Sequence, residues 1–149
     1  FYFSDYKKNL ELCFEHLDLY FPKLLSCAAW GNFDALGHLT YPLRYMRDRD
    51  GQKVTFDRYA AQIDELFRTL AGRGKALELN VNRGGDISEQ LAIFRHYKAC
   101  GGEFVTVGSD AHKPEHVGKS IREGYELLRE AGFRYVTRYE KRKPEQIKL

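Results

Sequence analysis

The amino-acid sequence predicts an α/β fold with a parallel sheet, and three observations carry that expectation. Apolar residues at helical spacing alternate along the chain with short apolar runs of strand length. Glycines close most of these segments, as Gly72 and Gly74, Gly101 and Gly102, and Gly132 do. Polar groups with ligand or proton-transfer chemistry follow three successive strands. That is where α/β folds with parallel strands gather functional side chains.

Taken in order, Leu10, Cys13, Phe14 and Leu17 recur at helical spacing, and Ser4 is available as an N-cap, which predicts a helix over residues 4–19. Pro22 suits the first turn of a second, shorter helix ending near Trp30. "FDALGHL" (residues 33–39) reads as a strand, and "YPLRYMRDRDGQK" as a long polar loop. Phe56, Tyr59, Ile63, Leu66, Phe67 and Leu70 form one stripe of a helix over residues 55–70. "KALELNV" (75–81) is a strand, "NRGGD" a turn, and Ile87, Leu91 and Phe94 mark a helix to Ala99. "EFVTVG" is the third strand, residues 117–131 a helix, and "FRYVTRYE" a fourth strand. Strands separated by helices imply right-handed crossovers and a parallel sheet.

The 149 residues suffice for one domain with a sizeable core. Hydrophobic residues at 43% and charged residues at 30% match a soluble globular protein. The net charge of +3, from 24 basic and 21 acidic side chains interspersed along the chain, argues against a nucleic-acid partner. The basic run Lys141-Arg142-Lys143 reads as part of a solvated C-terminal tail. No apolar run reaches the ~18 residues of a membrane span, and no signal-peptide pattern is present. Cys13, Cys27 and Cys100 are odd in number and widely spaced, which suits reduced thiols and a cytoplasmic protein.

The chemistry concentrates at three strand ends. The first strand is followed by Gly37-His38, the second carries Glu78 and Asn80, and the third leads into Gly108-Ser109-Asp110-Ala111-His112. Asp110 and His112, two residues apart, project to the same side of an extended backbone and suit a divalent cation such as zinc, manganese or iron. By chemistry alone, an Asp110 that caps a turn and a surface His112 explain the pair equally well. His38 taken singly is more often structural. The convergence of three strands on one rim favours a metal ligand. Glu78 fits either an acid that supports a neighbouring metal ligand or the polar alternate of its strand, and the second reading is the more favoured. Arg44 and Arg83, on the loops after the first and second strands, are candidate phosphate contacts, because guanidinium pairs with phosphate oxygens in bidentate fashion. His16 and His96 lie off the apolar stripes of their helices, and His116 sits in a turn near the rim. No P-loop, GxGxxG or GxSxG motif is present.

The blocks "FDALGHLTYPLRY", "LELN", "GGEFVTVGSDAHKPEHVG", "EGYELLREAGFRYVT" and "YEKRKPEQIKL" together resemble the C-terminal portion of the PHP-family histidinol-phosphatases. "GHLT" resembles the family's penultimate ligand motif and "GSDAH" its last. The resemblance implies a distorted seven-stranded (β/α) TIM-like barrel with divalent metals at its carboxyl rim. Metal-activated water would there hydrolyse histidinol phosphate to histidinol and phosphate, in histidine biosynthesis. It assigns His38, Asp110 and His112 as metal ligands. The HxH motif with which the family's domain begins is absent, so residues 1–149 are expected to form a partial domain lacking that N-terminal segment.

A partial barrel exposes strand edges and apolar faces. The expected partners are therefore a second copy of the chain or the missing N-terminal half, besides a small phosphomonoester substrate. Two other functions stay open: a catalytically incomplete remnant acting as a metal-binding or interaction module, and a PHP phosphodiesterase, for which the near-balanced charge supplies no basic groove.

Overall fold

The computed structural model of the protein describes residues 1–81 and 88–149, the side chains of residues 88 and 89 excepted. The predicted "NRGGD" turn, Arg83 and Ile87 lie outside the described residues. Helix α1 (Leu10–Trp30) is followed by strand β1 (Ala35–Leu36), the short helix α2 (Tyr41–Leu43) and a π-helical turn, Arg44–Arg49. Then come α3 (Ala60–Gly72), β2 (Ala76–Asn80), α4 (Ser88–Ala99), β3 (Val105–Gly108) and α5 (Ile121–Glu130). Strands β4 (Tyr135–Glu140) and β5 (Lys143–Lys148) close the chain.

The expected parallel sheet is present, with strand order β1-β2-β3 and helices between successive strands. Its register pairs Leu36 with Leu77, Leu77 with Val105, and Asn80 with Gly108. Leu77, Leu79, Val81 and Val105 are all buried. Helix α5 crosses this face at Gly124, where a Cβ would stand 2.9 Å from Val81 and 3.1 Å from Val107. Side chains alternate along a strand, so burying Leu77, Leu79 and Val81 beneath the helices turns Glu78 and Asn80 to the opposite face.

Four expectations for the elements are corrected. Helix α1 does not break at Pro22; it runs through it. A proline inside a helix removes one backbone hydrogen bond and costs about 3 kcal/mol. Here Cys13, Leu17, Phe21 and Ala28 form a continuous buried face on both sides of Pro22, and each fully buried large apolar side chain contributes about 1.5–3 kcal/mol. The N-cap is Asn9 rather than Ser4: its side chain accepts the Leu12 N–H at 3.0 Å. The polar loop after β1 is largely helical, because Leu43 and Met46 are drawn into the core.

The fourth correction concerns the C-terminus. β4 is a strand, but it pairs antiparallel with β5 instead of joining the parallel sheet. Lys141 and Arg142, read as part of a tail, form the two-residue turn of this hairpin with φ of 48° and 65°. Two consecutive left-handed residues match the right-handed twist of a hairpin, a turn usually signalled by Asn-Gly. Arg142 is anchored by Asn32 at 2.8 Å and Asp34 at 3.3 Å.

Two hydrophobic clusters meet along α1 and α3. One joins the sheet to α3, α4 and α5 around Leu66, Phe67, Leu77, Phe94 and Tyr97. The other packs the N-terminal segment and the Arg44–Arg49 turn on α1 through Tyr6, Cys13, Phe21, Met46 and Tyr59. Leu24 and Ile63 touch both. Asp50 ties the second cluster together, accepting the Tyr6 N–H at 2.9 Å and the Arg49 guanidinium at 2.7 and 2.8 Å. The Arg49 hydrogen bonds and the Tyr6 N–H hold its carboxyl at a pKa of about 2.

Two predictions arise from this packing. A Cβ at Gly102 would lie 2.5 Å from the ring of Tyr97, which is buried between Phe67 and Phe133 and donates to the Lys75 carbonyl at 2.6 Å. Gly102→Ala is expected to lower stability by about 1–3 kcal/mol in urea unfolding. For Asp50, the folded pKa lies below the unfolded value of about 3.9, so its stabilisation is complete above that value and disappears as pH falls towards 2. The stability difference between the protein and Asp50→Asn should therefore be constant above about pH 5 and shrink between pH 4 and pH 2.

Candidate metal centre

The parallel register sets the ends of β1, β2 and β3 level, so that Gly37-His38, Glu78 with Asn80, and the segment following Gly108 share one rim. Glu78 lies at the middle of it. Its Oε2 accepts the His38 N–H at 3.2 Å and stands 3.1 Å from His38 Nδ1. Asn80 Nδ2 stands 3.0 Å from the same ring nitrogen. One imidazole nitrogen holds either a proton or a lone pair, so Nδ1 serves either the Glu78 carboxylate or the Asn80 amide as hydrogen-bond partner.

The carboxylate has room only because both flanking strands present glycine. A Cβ at Gly37 would fall 2.8 Å from Glu78 Oε2, and one at Gly108 would fall 2.6 Å from Oε1. Beyond these glycines, His38 and Asp110 both adopt left-handed backbone, with φ of 56° and 45°. Non-glycine residues hold such angles at a cost of order 1–3 kcal/mol each, which the surrounding structure must offset.

A second pair forms after β3, where His112 Nε2 lies 3.3 Å from Asp110 Oδ1. Arg44 Nη2 reaches Asp110 Oδ2 at 3.6 Å. Arg44 also lies over the Tyr41 ring, 5.6 Å from its centre, and Tyr41 in turn stacks on His38 with ring centres 6.1 Å apart. The Tyr45 hydroxyl donates to that of Tyr41 at 3.0 Å. This contact, with burial second, raises the Tyr41 pKa.

The structure thus brings His38, Arg44, Asp110 and His112 to one rim, arranged as two pairs bridged by Tyr41 and Arg44. It does not draw His38, Asp110 and His112 into a single three-donor cluster. Among the described residues, three His, Cys, Asp or Glu donor atoms within 4.8 Å of one another occur only at Asp64, His96 and Cys100, between α3 and α4. Arg83 lies outside the described residues. Glu78, read from sequence as a strand alternate, is the residue that sequence reasoning undervalued. The signal for it was a glycine at the end of each neighbouring strand. Tyr41 also gained its place at the rim from structure alone.

Comparison with known proteins bears on this rim. No family model matches the chain. A probable histidinol-phosphatase of Clostridium acetobutylicum is 30% identical over 132 residues, which is 86% of this chain and 51% of that protein. Other proteins similar to this chain likewise carry the name histidinol-phosphatase or probable histidinol-phosphatase. A probable histidinol-phosphatase of Thermotoga maritima is 34% identical over 107 residues, covering 70% of this chain and 43% of that protein. The crystal structure of the histidinol phosphate phosphatase of Lactococcus lactis, complexed with zinc, L-histidinol and phosphate, superposes with a TM-score of 0.72 at 28% identity. That match covers 86% of this chain and 50% of the Lactococcus one. The chain spans about half the length of the histidinol-phosphatases it matches.

The fit of Glu78 between two glycines is testable. Gly108→Ala would displace the carboxylate, which is the mobile end of a side chain, and leave the core untouched. The expected result is an unfolding free energy within about 1 kcal/mol of the unsubstituted chain. Manganese affinity, followed by isothermal titration, should weaken about tenfold or more.

Proposed function

We propose that this chain supplies one part of the metal-bearing rim of a histidinol-phosphatase, a hydrolase of phosphomonoesters. The observation that carries the reading is the alignment of His38, Glu78, Asp110 and His112 at the ends of three consecutive parallel strands. Their donor set of imidazoles and carboxylates suits zinc, manganese or iron. The Lactococcus relative, complexed with zinc, L-histidinol and phosphate, supports divalent metal and histidinol phosphate as cofactor and substrate.

In this reading His38, Asp110 and His112 hold metal, and Glu78 keeps His38 oriented through its N–H and ring nitrogen. Bound metal ions would activate water and neutralise charge on the phosphoryl oxygens. Arg44 can turn from Asp110 towards a phosphate, since its guanidinium is only loosely engaged at 3.6 Å. Arg83 is proposed as a second phosphate contact. Tyr41 walls the rim between His38 and Arg44.

The chain is proposed as one portion of a domain, contributing three strands to a distorted (β/α) barrel. Sequential strand order with intervening helices supports this, as does coverage of about half of each relative. Additional strands would pair along the two-residue β1 and bring further ligands to the two half-formed pairs. A second copy of the chain or a separate N-terminal half is the proposed source. Exposed Phe3, Leu19 and Trp30 offer apolar surface for such an association. A second reading, a metal-binding module without turnover, is favoured by the separation of the rim donors into two pairs.

The test is metal-dependent phosphate release from histidinol phosphate. It is measured for the chain alone and for the chain mixed with the half of the Lactococcus enzyme that it does not match. Release that falls at least a hundredfold in His38→Ala and in Asp110→Ala, with circular dichroism unchanged, is expected in at least one arm. Absence of release from a folded sample in both arms would favour the module without turnover.

A further inference from the structure

Away from the rim, on the outer surface where α3 and α4 pack together, three side chains of different elements converge. Asp64 projects from the first half of α3, His96 from the last turn of α4, and Cys100 follows α4 directly. His96 Nε2 lies 3.2 Å from Asp64 Oδ1, and Cys100 Sγ lies 3.4 Å from that oxygen. All three donor atoms fall within 4.8 Å of one another. We infer that Asp64, His96 and Cys100 form a second divalent-metal site, selective for thiophilic ions such as zinc or cobalt, that staples α3 to α4.

The spacing carries the inference. Metal–ligand bonds of about 2.0–2.3 Å place tetrahedral donors roughly 3.3–3.8 Å apart. The separations of 3.2 and 3.4 Å lie just below and just inside that range, so an ion can enter with a small outward movement of the side chains. The Cys100 N–H donates to the His96 carbonyl at 3.0 Å, so the last helical turn extends to Cys100 and the two residues stand one turn apart. The His96 ring is held edge-on against Phe67, with centres 5.2 Å apart, which fixes the direction of Nε2.

Arg68 positions the acid. Its Nε donates to Asp64 Oδ2 at 2.7 Å, and its Nη2 makes a longer contact of 3.5 Å to Oδ1. The oxygen facing His96 and Cys100 is thus the one that Arg68 holds more weakly. Hydrogen bonds from Arg68, then His96 and Cys100, hold the Asp64 pKa at about 2, so the donor is a carboxylate throughout the neutral range. The side chains of Asp64 and His96 are 39% and 40% exposed. An ion can therefore reach them, and water can complete the coordination as fourth ligand. Cys100 would release its proton to solvent as it ligates, and the thiolate and carboxylate together balance the ion's two charges. A thiolate distinguishes this site chemically from the rim, whose donors are imidazole nitrogen and carboxylate oxygen.

Cobalt titration of the chelator-stripped chain separates the two sites, because only a thiolate ligand produces an intense near-ultraviolet charge-transfer band. The expected band saturates at one ion per chain. It is lost in Cys100→Ser, weakens about tenfold or more in apparent affinity in His96→Gln, and persists in Cys27→Ser and in Asp110→Ala. Absence of the band in the unsubstituted chain, or its survival in Cys100→Ser, would overturn the assignment. Circular dichroism of each variant establishes that the helices remain intact.

Discussion

The Glu78 carboxylate, lodged between Gly37 and Gly108, is the constraint on which the rim depends. It is one charged group in the central strand of three, and each neighbouring strand gives up a side chain to make room for it. The parallel register then leaves no freedom in where His38 and Asp110 emerge, since each follows a strand end held level with Glu78 or Asn80. Left-handed backbone at both positions turns the chain away from the strand direction within two residues of the glycines. Backbone strain and a polar group on an open sheet face both oppose folding. The buried face of the same strands, beneath α5, offsets them through Leu77, Leu79, Val81 and Val105.

Helix α1 bridges the two apolar clusters, with Leu24 touching both, and it carries the N-terminal segment and the Arg44–Arg49 turn. Tyr20 on α1 donates to the Leu39 carbonyl at 3.0 Å and so holds the loop that follows His38. Burial pushes the Tyr20 hydroxyl pKa far upward, so it remains a donor at any ordinary pH. Arg44 and Tyr41 are thereby presented to the rim by a short helix whose other side is buried through Leu43 and Met46. Packing at a distance from the chemistry thus decides where the candidate phosphate contact stands.

Rim and helix cluster use the same physical device on different chemistry. In each, a carboxylate is oriented by a neighbouring donor, the His38 N–H for Glu78 and Arg68 for Asp64, while an imidazole nitrogen lies 3.1–3.2 Å away. The rim offers nitrogen and oxygen donors around an open sheet face, whereas the helix cluster adds sulfur on an outer surface. Hard and borderline ions suit the first, and thiophilic ions the second.

Much of this was legible in the sequence, where the information is local. Helix–strand alternation, the three parallel strands, and the likeness carried by "GHLT" and "GSDAH" all follow from residue periodicity and short motifs. So does the choice of His38, Asp110 and His112 as residues of a shared rim. Tertiary structure decided whatever depends on contacts between distant segments. Pro22 reads as a helix start until the buried face of α1 is seen to continue beyond it. Lys141 and Arg142 read as a tail until Asn32 and Asp34 fix them as a turn. Glu78 reads as a strand alternate until two glycines, 41 and 30 residues away in sequence, enclose it. Asp64 and the His96–Cys100 pair are separated by a strand and most of a helix, and only the packing of α3 on α4 places their donor atoms together. Sequence determined which groups were present and the alternation of helix and strand; the register of the sheet and the packing of distant segments determined which of them meet.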